Sequence, residues 1–457
     1  MYFQWFQEQV NQHDWLRKDF MLWNDHSYDY CWLIQQVEFF TQELKAHNIE
    51  HNRVCAVCGD YSPYSVALLL ALINNKSIIV PISTEVEKKK DYYSVTSQAE
   101  YIFDFNDAGE FLIRRTDRAV TNPLLTDLKQ QNASGLVLFT SGSTGDPKAA
   151  LYNFDRLLNN YCKARKAMRS LVFLRIDHIG GINTLFSLIS NGGTIVALVD
   201  RNPSNICSLI EKYQVELFPT TPSFLNLLKV SEAYKEYDLS SLRMITYGTE
   251  VMPESLLKSL THIFPDVDFK QTYGLTEIGI LRSKSKGNDS VWVKVGGENY
   301  QTKIVDNVLW IKTDFAIYGY LNAPSPFTED GWLITRDKVE VDGEFIKFLG
   351  REEEIINVGG LKVYPQEVED VVLQLDNVTD AIVRGEAHPM LGHIVCAKIK
   401  LKSEEDLEYL RKRLYKFCID KLERYKIPQK ITIVHGDLIG SERFKKIRRE
   451  EVCEMKE

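Results

Sequence analysis

Between Leu138 and Phe154 the chain reads LFTSGSTGDPKAALYNF. The hydroxyl residues Thr140, Ser141, Ser143 and Thr144, the glycines Gly142 and Gly145, and Lys148 all fall within this short stretch. A patch of serine and glycine is, by itself, most often a surface turn. Here the apolar run GLVLFT ahead of it reads as a strand, so the small residues fall on a strand-end loop, where backbone N–H groups and hydroxyls converge on an anion. Glycine lets the backbone come close to phosphate oxygens, and Lys148 adds a point charge. Lys148 follows a proline instead of standing in a Gly-Lys-Ser/Thr unit at a helix start, which disfavours an ordinary P-loop NTPase.

The segment Thr140-Ser-Gly-Ser-Thr-Gly-Asp-Pro-Lys148 resembles the phosphate loop of the adenylate-forming superfamily, which includes acyl-CoA synthetases, peptide-synthetase adenylation domains and luciferases. Further matches follow in order. QTYGLTEIG, Gln271 to Gly279, is similar to the superfamily's Tyr-Gly-x-Thr-Glu motif. It offers the Tyr273 ring, next to Gly274, for stacking on a base, the Thr276 hydroxyl for a phosphate oxygen, and the Glu277 carboxylate for Mg²⁺, a hard cation that prefers oxygen. TYGTEVMP sits where the family places a turn against adenine, implying backbone contacts from Gly248, Thr249 and Glu250, although side chains of this size could equally shape the acyl pocket. Asp337 in GWLITRDKVEVDG takes the place of the ribose carboxylate, and Arg351 can donate beside it. Arg336 stands where the pattern has glycine, so the local backbone is expected to differ.

By the same resemblance Glu353, within the run Glu352 to Glu354, is the hinge about which a C-terminal domain swings. NVGGLKVYPQEVE then resembles the loop lining a pantetheine tunnel, where Gly359 and Gly360 let a thin thiol arm pass. In GDLIGSERFKKIRRE, aligned on Arg448 and Arg449, Lys445 takes the place of the adenylating lysine, Phe444 replaces a glycine and Ile439 a proline. Lys446 competes with it, and a solvated basic helix is the plain alternative. LRIDHIGGINTLFSL resembles a CoA-ligase segment with His178 between acyl and thiol channels; Asp177 could instead pair with a substrate amine.

The resemblance implies a ligase that uses ATP and Mg²⁺ to convert a carboxylic acid to acyl-AMP, with Lys445, Thr276, Glu277 and His178 at the reacting groups, and then transfers the acyl group to CoA. Three alternatives stay open: loading of an acyl carrier protein, amino-acid adenylation through Asp177, and a non-catalytic nucleotide- or acyl-binding homologue.

The elements that must position these residues alternate. RVCAVCG reads as a strand, PYSVALLLALINN as a helix and SIIVPIS as a strand, and the pattern continues through VELFPTT, LRMITYG and PESLLKSLTHIF, with a helix over 155–167. After about Thr302 shorter strands with closer turns take over, and a further α+β unit starts near Arg351. The expected fold is α/β: a large N-terminal domain, 1–351, of layered α/β subdomains plus a β-rich subdomain, then a small mobile α+β domain, 352–457. A net charge of −8 argues against nucleic acid as partner. VALLLALI falls far short of the ~20 residues of a membrane span, and the N-terminus has no signal-peptide pattern, so a cytoplasmic location is expected. Cys55 and Cys58, three apart in a strand, point to opposite faces and read as buried structural thiols.

Overall fold

The computed structural model describes residues 2–106, 108–140, 146–163, 165–198, 200–436, 438–440 and 445–446. Two seven-stranded sheets carry the first part of the chain. The first has a parallel centre, Gly135–Thr140, Ile78–Ile82, Val54–Cys58 and Tyr101–Phe105, closed on one side by the antiparallel strand Lys148–Asn153. The second runs Asp268–Gln271, Met244–Tyr247, Leu217–Thr220, Arg169–Leu171, Thr194–Val196 and Asp19–Trp23, all parallel, and ends on His26–Asp29.

Every residue of Val54–Cys58 and Ile78–Ile82 is buried, as strands covered on both faces require. The helix Pro63–Asn74 is apolar all round and buried from Pro63 to Ile73 except Tyr64. Ser62 and Ser65 close a capping box at its start, with Pro63 in the first turn. Cys55 and Cys58 open onto two different cores, one on each face of the first sheet, and burial pushes both thiols up to about 12.

A third, antiparallel seven-stranded sheet begins at Tyr273–Leu275, some way before the change of texture read from the sequence, and includes Leu333–Asp342 and Phe345–Arg351. From Ile356 onward a five-stranded sheet, the helices Pro365–Val372 and Leu407–Cys418 and a core of their own follow. In place of a helix over 155–167, helix Phe154–Leu158 gives way to a 3₁₀ turn at Asn159–Tyr161, where two asparagines favour turn over helix. The hairpin Asp19–Trp23/His26–Asp29 had no counterpart in the sequence reading; Asn24 and Asp25, both at positive φ, form its two-residue turn. No helix among the described residues is long and apolar enough to cross a membrane.

Candidate active site

Thr140 ends its strand opposite Lys148 in the antiparallel register, so the two residues flank the loop. Ser141, Gly142, Ser143, Thr144 and Gly145 lie outside the described residues. The Lys148 ammonium sits over the Tyr320 ring, 5.5 Å from its centroid. Tyr320 Oη donates to Glu277 Oε1, and burial, then the adjoining Glu277 charge, raise the phenol's pKa and keep it a donor. Tyr152, on the strand that follows the loop, donates to the Thr276 carbonyl and accepts from the Gly279 N–H at 3.1 Å. Two tyrosines thus fasten the turn carrying Thr276 and Glu277 to the strand that carries Lys148. The second Glu277 oxygen has no hydrogen-bond partner among the described residues.

Tyr273 stacks on Phe348, with ring centroids 4.5 Å apart, and its hydroxyl donates to Asp337 Oδ2 at 2.6 Å. Asp337 and Arg351 are register partners on adjacent strands, with Arg351 Nε 3.4 Å from Asp337 Oδ1. Burial raises the Asp337 pKa above the ordinary carboxylate value, with Arg351 and the Tyr273 hydroxyl pulling the other way. Burial lowers that of Arg351, but Asp337 and Glu353 outweigh it and the guanidinium is held charged. Arg336 adopts φ +62°, the left-handed conformation a glycine would take without strain, so the substitution leaves the glycine-type backbone in place. Thr249 does the same at φ +73°, which is rarer for a β-branched residue.

Gly248 and Gly274 are fixed by close approach: a Cβ on Gly248 would lie 2.5 Å from Thr272 Oγ1, and one on Gly274 2.5 Å from the Gly279 carbonyl oxygen. Glu250 faces two domains. Its Oε2 accepts from Ser223 Oγ at 2.5 Å and its Oε1 from the Lys446 N–H at 2.7 Å. Lys446 Nζ lies 3.2 Å from Asp380 Oδ1 and 3.4 Å from Glu369 Oε2 and donates to the Ala381 carbonyl at 2.7 Å. Lys445 pairs with Gly440 in a two-stranded ribbon; its side chain, Phe444, Arg448 and Arg449 lie outside the described residues.

His178 caps the helix Ile179–Ile189, its Nδ1 accepting from the Gly180 N–H at 3.1 Å, so a neutral ring carries its proton on Nε2. Asp177 accepts from Ser83 Oγ at 2.8 Å. The glutamates of the run 352–354 each hold a different neighbour: Glu352 Lys338 at 3.0 Å, Glu353, the expected hinge, Arg351 at 3.8 Å, and Glu354 Gln366 at 2.9 Å. Gly359 and Gly360, at φ +57° and +89°, form the two-residue turn between Ile356–Val358 and Leu361–Val363. That turn is exposed, beside the exposed apolar residues Leu361, Met390 and Leu391, and its hydrogen bonds go to Asn357 and Leu391.

Sequence reasoning missed Tyr152 and Tyr320, and it missed Thr220 and Tyr247, buried neighbours aligned only by the sheet, together with Tyr61 and Arg201 in loops apart from it.

Residues 6–308 match the AMP-binding enzyme family, and residues 367–440 match the AMP-binding enzyme C-terminal domain. The chain is 27% identical over 363 residues to 4-coumarate--CoA ligase-like 9 of Arabidopsis thaliana, covering 72% of this chain and 64% of that protein. It is 24% identical over 319 residues to the long-chain-fatty-acid--CoA ligase FadD13 of Mycobacterium tuberculosis, covering 65% of this chain and 62% of that one. The matches thus span somewhat under two thirds of these relatives. In fold, the anthranilate CoA ligase AuaEII in complex with anthranoyl-AMP superposes with a TM-score of 0.80 over 97% of this chain and 95% of that one, at 17% identity.

Proposed function

Because the chain belongs to the AMP-binding enzyme family, we propose that it activates a carboxylic acid with ATP, releasing pyrophosphate and forming acyl-AMP, and then passes the acyl group to the thiol of CoA. The observation that carries this reading is the buried Asp337 carboxylate, held by Tyr273 and Arg351 on the same sheet as the Glu277 turn that Tyr320 ties to Lys148.

A carboxylate is a poor acyl donor until its oxygen becomes part of a good leaving group, and the phosphate charge involved needs fixed cations and donors. Asp337 would accept the ribose hydroxyls, with Arg351 donating beside it, and the Tyr273 ring face away from Phe348 would take the base, next to the backbone of Gly248, Thr249, Glu250 and Gly274. Thr140, Ser141, Gly142, Ser143, Thr144, Gly145 and Lys148 would hold the pyrophosphate side. Glu277 fits Mg²⁺, since one of its oxygens is fixed by Tyr320 and the other has no protein partner among the described residues. When bound, the ion neutralises phosphate charge.

We assign the adenylating role to Lys445, because the Lys446 ammonium is engaged by Glu369, Asp380 and the Ala381 carbonyl. The domains divide at 351/352, with Glu353 as hinge. The exposed Gly359–Gly360 turn with its apolar flank is suited to face the site in a second pose and line the thiol's path, His178 standing where acyl and thiol channels meet. The described cysteines are all free thiols, which suits a reducing, cytoplasmic compartment.

The test is a panel of carboxylic acids assayed for ATP-dependent pyrophosphate release with and without CoA. Release followed by acyl-CoA formation is expected. Release without acyl-CoA would redirect the second step to a carrier-protein thiol, and no release with any acid would overturn the reading.

A further inference from the structure

Across the carboxyl ends of the second sheet's parallel strands runs a row of buried polar atoms that no group among the described residues satisfies. Thr220, Tyr247 and Gln271 are register neighbours on three adjacent strands, so their side chains share one face of the sheet. Thr220 Oγ1, Tyr247 Oη and Gln271 Oε1 are buried and have no hydrogen-bond partner among the described residues. Beyond Thr220 the next strand, Arg169–Leu171, ends two residues before Phe173, and Arg201 lies in the loop that follows Thr194–Val196. Arg201 Nε donates to the Phe173 carbonyl at 2.9 Å, and its guanidinium lies over the Phe173 ring, 5.9 Å from the centroid. Phe173 packs in turn on Phe218, two residues before Thr220.

Arg201 forms no ion pair among the described residues, because the acids nearby are occupied. Arg175 lies 2.7 Å from Glu85 and 3.9 Å from Asp60; the Thr84 hydroxyl donates to Asp60 and the Ser83 hydroxyl to Asp177. Tyr61, buried and with an unpartnered hydroxyl, interacts electrostatically with both Arg201 and Asp177. Burial, then Arg175, lower Arg201 only to about 10, so it keeps its charge at neutral pH. Buried polar groups are paired as a rule, so a line of orphans marks a place for a ligand. Gln271, nearest Tyr273, presents an acceptor; the far end presents hydroxyl donors and an unpaired cation, which are complementary to a carboxylate.

We propose that Arg201 and Tyr61 form a specificity subsite for a second, distal carboxylate on the acid that is activated. The inference rests on the acyl-activating reading for its setting.

The experiment titrates α,ω-dicarboxylates of increasing length, each against the monocarboxylate of the same carbon number, into wild type, R201A, R201K and Y61F by calorimetry, alongside pyrophosphate release. Wild type is expected to favour one length of diacid over its monoacid by about 100-fold. R201A loses that ratio, R201K restores part of it, and Y61F lowers it by about tenfold, while ATP affinity, unchanged, reports an intact fold. No diacid preference in wild type, or the same preference in R201A and Y61F, would overturn the subsite. Arg201-dependent diacid binding without pyrophosphate release would leave the subsite standing and sink the activation reading.

Discussion

The Glu250 carboxylate accepts the backbone N–H of Lys446 at 2.7 Å, so the turn after the strand Met244–Tyr247 and the ribbon holding Lys446 share one anchor. The same carboxylate holds Ser223 at the start of the helix Pro222–Ser231. Two more bonds cross nearby, from Ser255 Oγ to Asp370 at 2.5 Å and from Asn226 Nδ2 to the Thr379 carbonyl at 2.9 Å. Glu250→Ala is therefore expected to slow pyrophosphate release by about tenfold, the worth of one charged hydrogen bond, and to speed amide exchange at Lys446, while thioester formation from supplied acyl-AMP is unchanged. Unaltered exchange at Lys446 would remove Glu250 from this role.

Neighbouring lysines separate chemistry from stability. Lys445→Ala should abolish acyl-AMP formation, spare its conversion to thioester, and leave the unfolding midpoint where it was. Lys446→Ala should instead cost about 3 kcal/mol of stability, because Glu369 and Asp380 are left buried without their cation. Pyrophosphate assays and urea denaturation of the two variants distinguish them, and the opposite assignment would exchange the two phenotypes.

If Asp337 holds the ribose as proposed, it governs the acid side of the pH profile for ATP. Its pKa is raised by burial, so it loses charge, and ATP binding weakens, at a pH where an ordinary aspartate of pKa about 3.9 is still ionised. Tyr273→Phe removes a donor to that carboxylate, so the acid limb of kcat/KM for ATP should move to higher pH and the ATP KM rise roughly tenfold. The stability term has the other sign. A carboxyl whose folded pKa is raised weighs against folding above that pKa, and the penalty is relieved as pH falls through it towards the unfolded value. Asp337→Asn is accordingly expected to raise the unfolding midpoint at neutral pH while impairing ATP binding; an acid limb that stays in place in Tyr273→Phe would count against this assignment.

Arg336 pays for its left-handed backbone in strain. Arg336→Gly should stabilise the protein by up to about 1 kcal/mol, and Arg336→Val should destabilise it by a similar amount or more, since a β-branched residue tolerates positive φ least. Denaturant midpoints of the pair check this, and equal midpoints would place the strain elsewhere.

The alternating α/β order was legible because it depends on local pattern: apolar runs of strand length, a helical run opening at Pro63, and a Gly-rich loop behind a strand. What escaped depends on lateral alignment. Tyr152 and Tyr320 meet Thr276 and Glu277 only because the strands Lys148–Asn153 and Gly319–Tyr320 pair, and Thr220, Tyr247 and Gln271 line up only through parallel register. The opposite facing of Cys55 and Cys58 could be read in advance, since it follows from the two-residue period of a single strand. Arg336 and Thr249 show a further limit: their positive φ is imposed by surroundings, against the preference of the residue type.

The glutamates at 352–354 also act as a set. Lys338, Arg351 and Gln366 are gripped by three consecutive residues, so a turn of the chain at the proposed hinge would work against all three contacts, as a detent does. Two of the three grips are ionic, at 3.0 and 3.8 Å with a partly exposed partner in each, and added salt weakens pairs of that kind. If the chain turns at Glu353 as proposed, raising the ionic strength is expected to ease that turn.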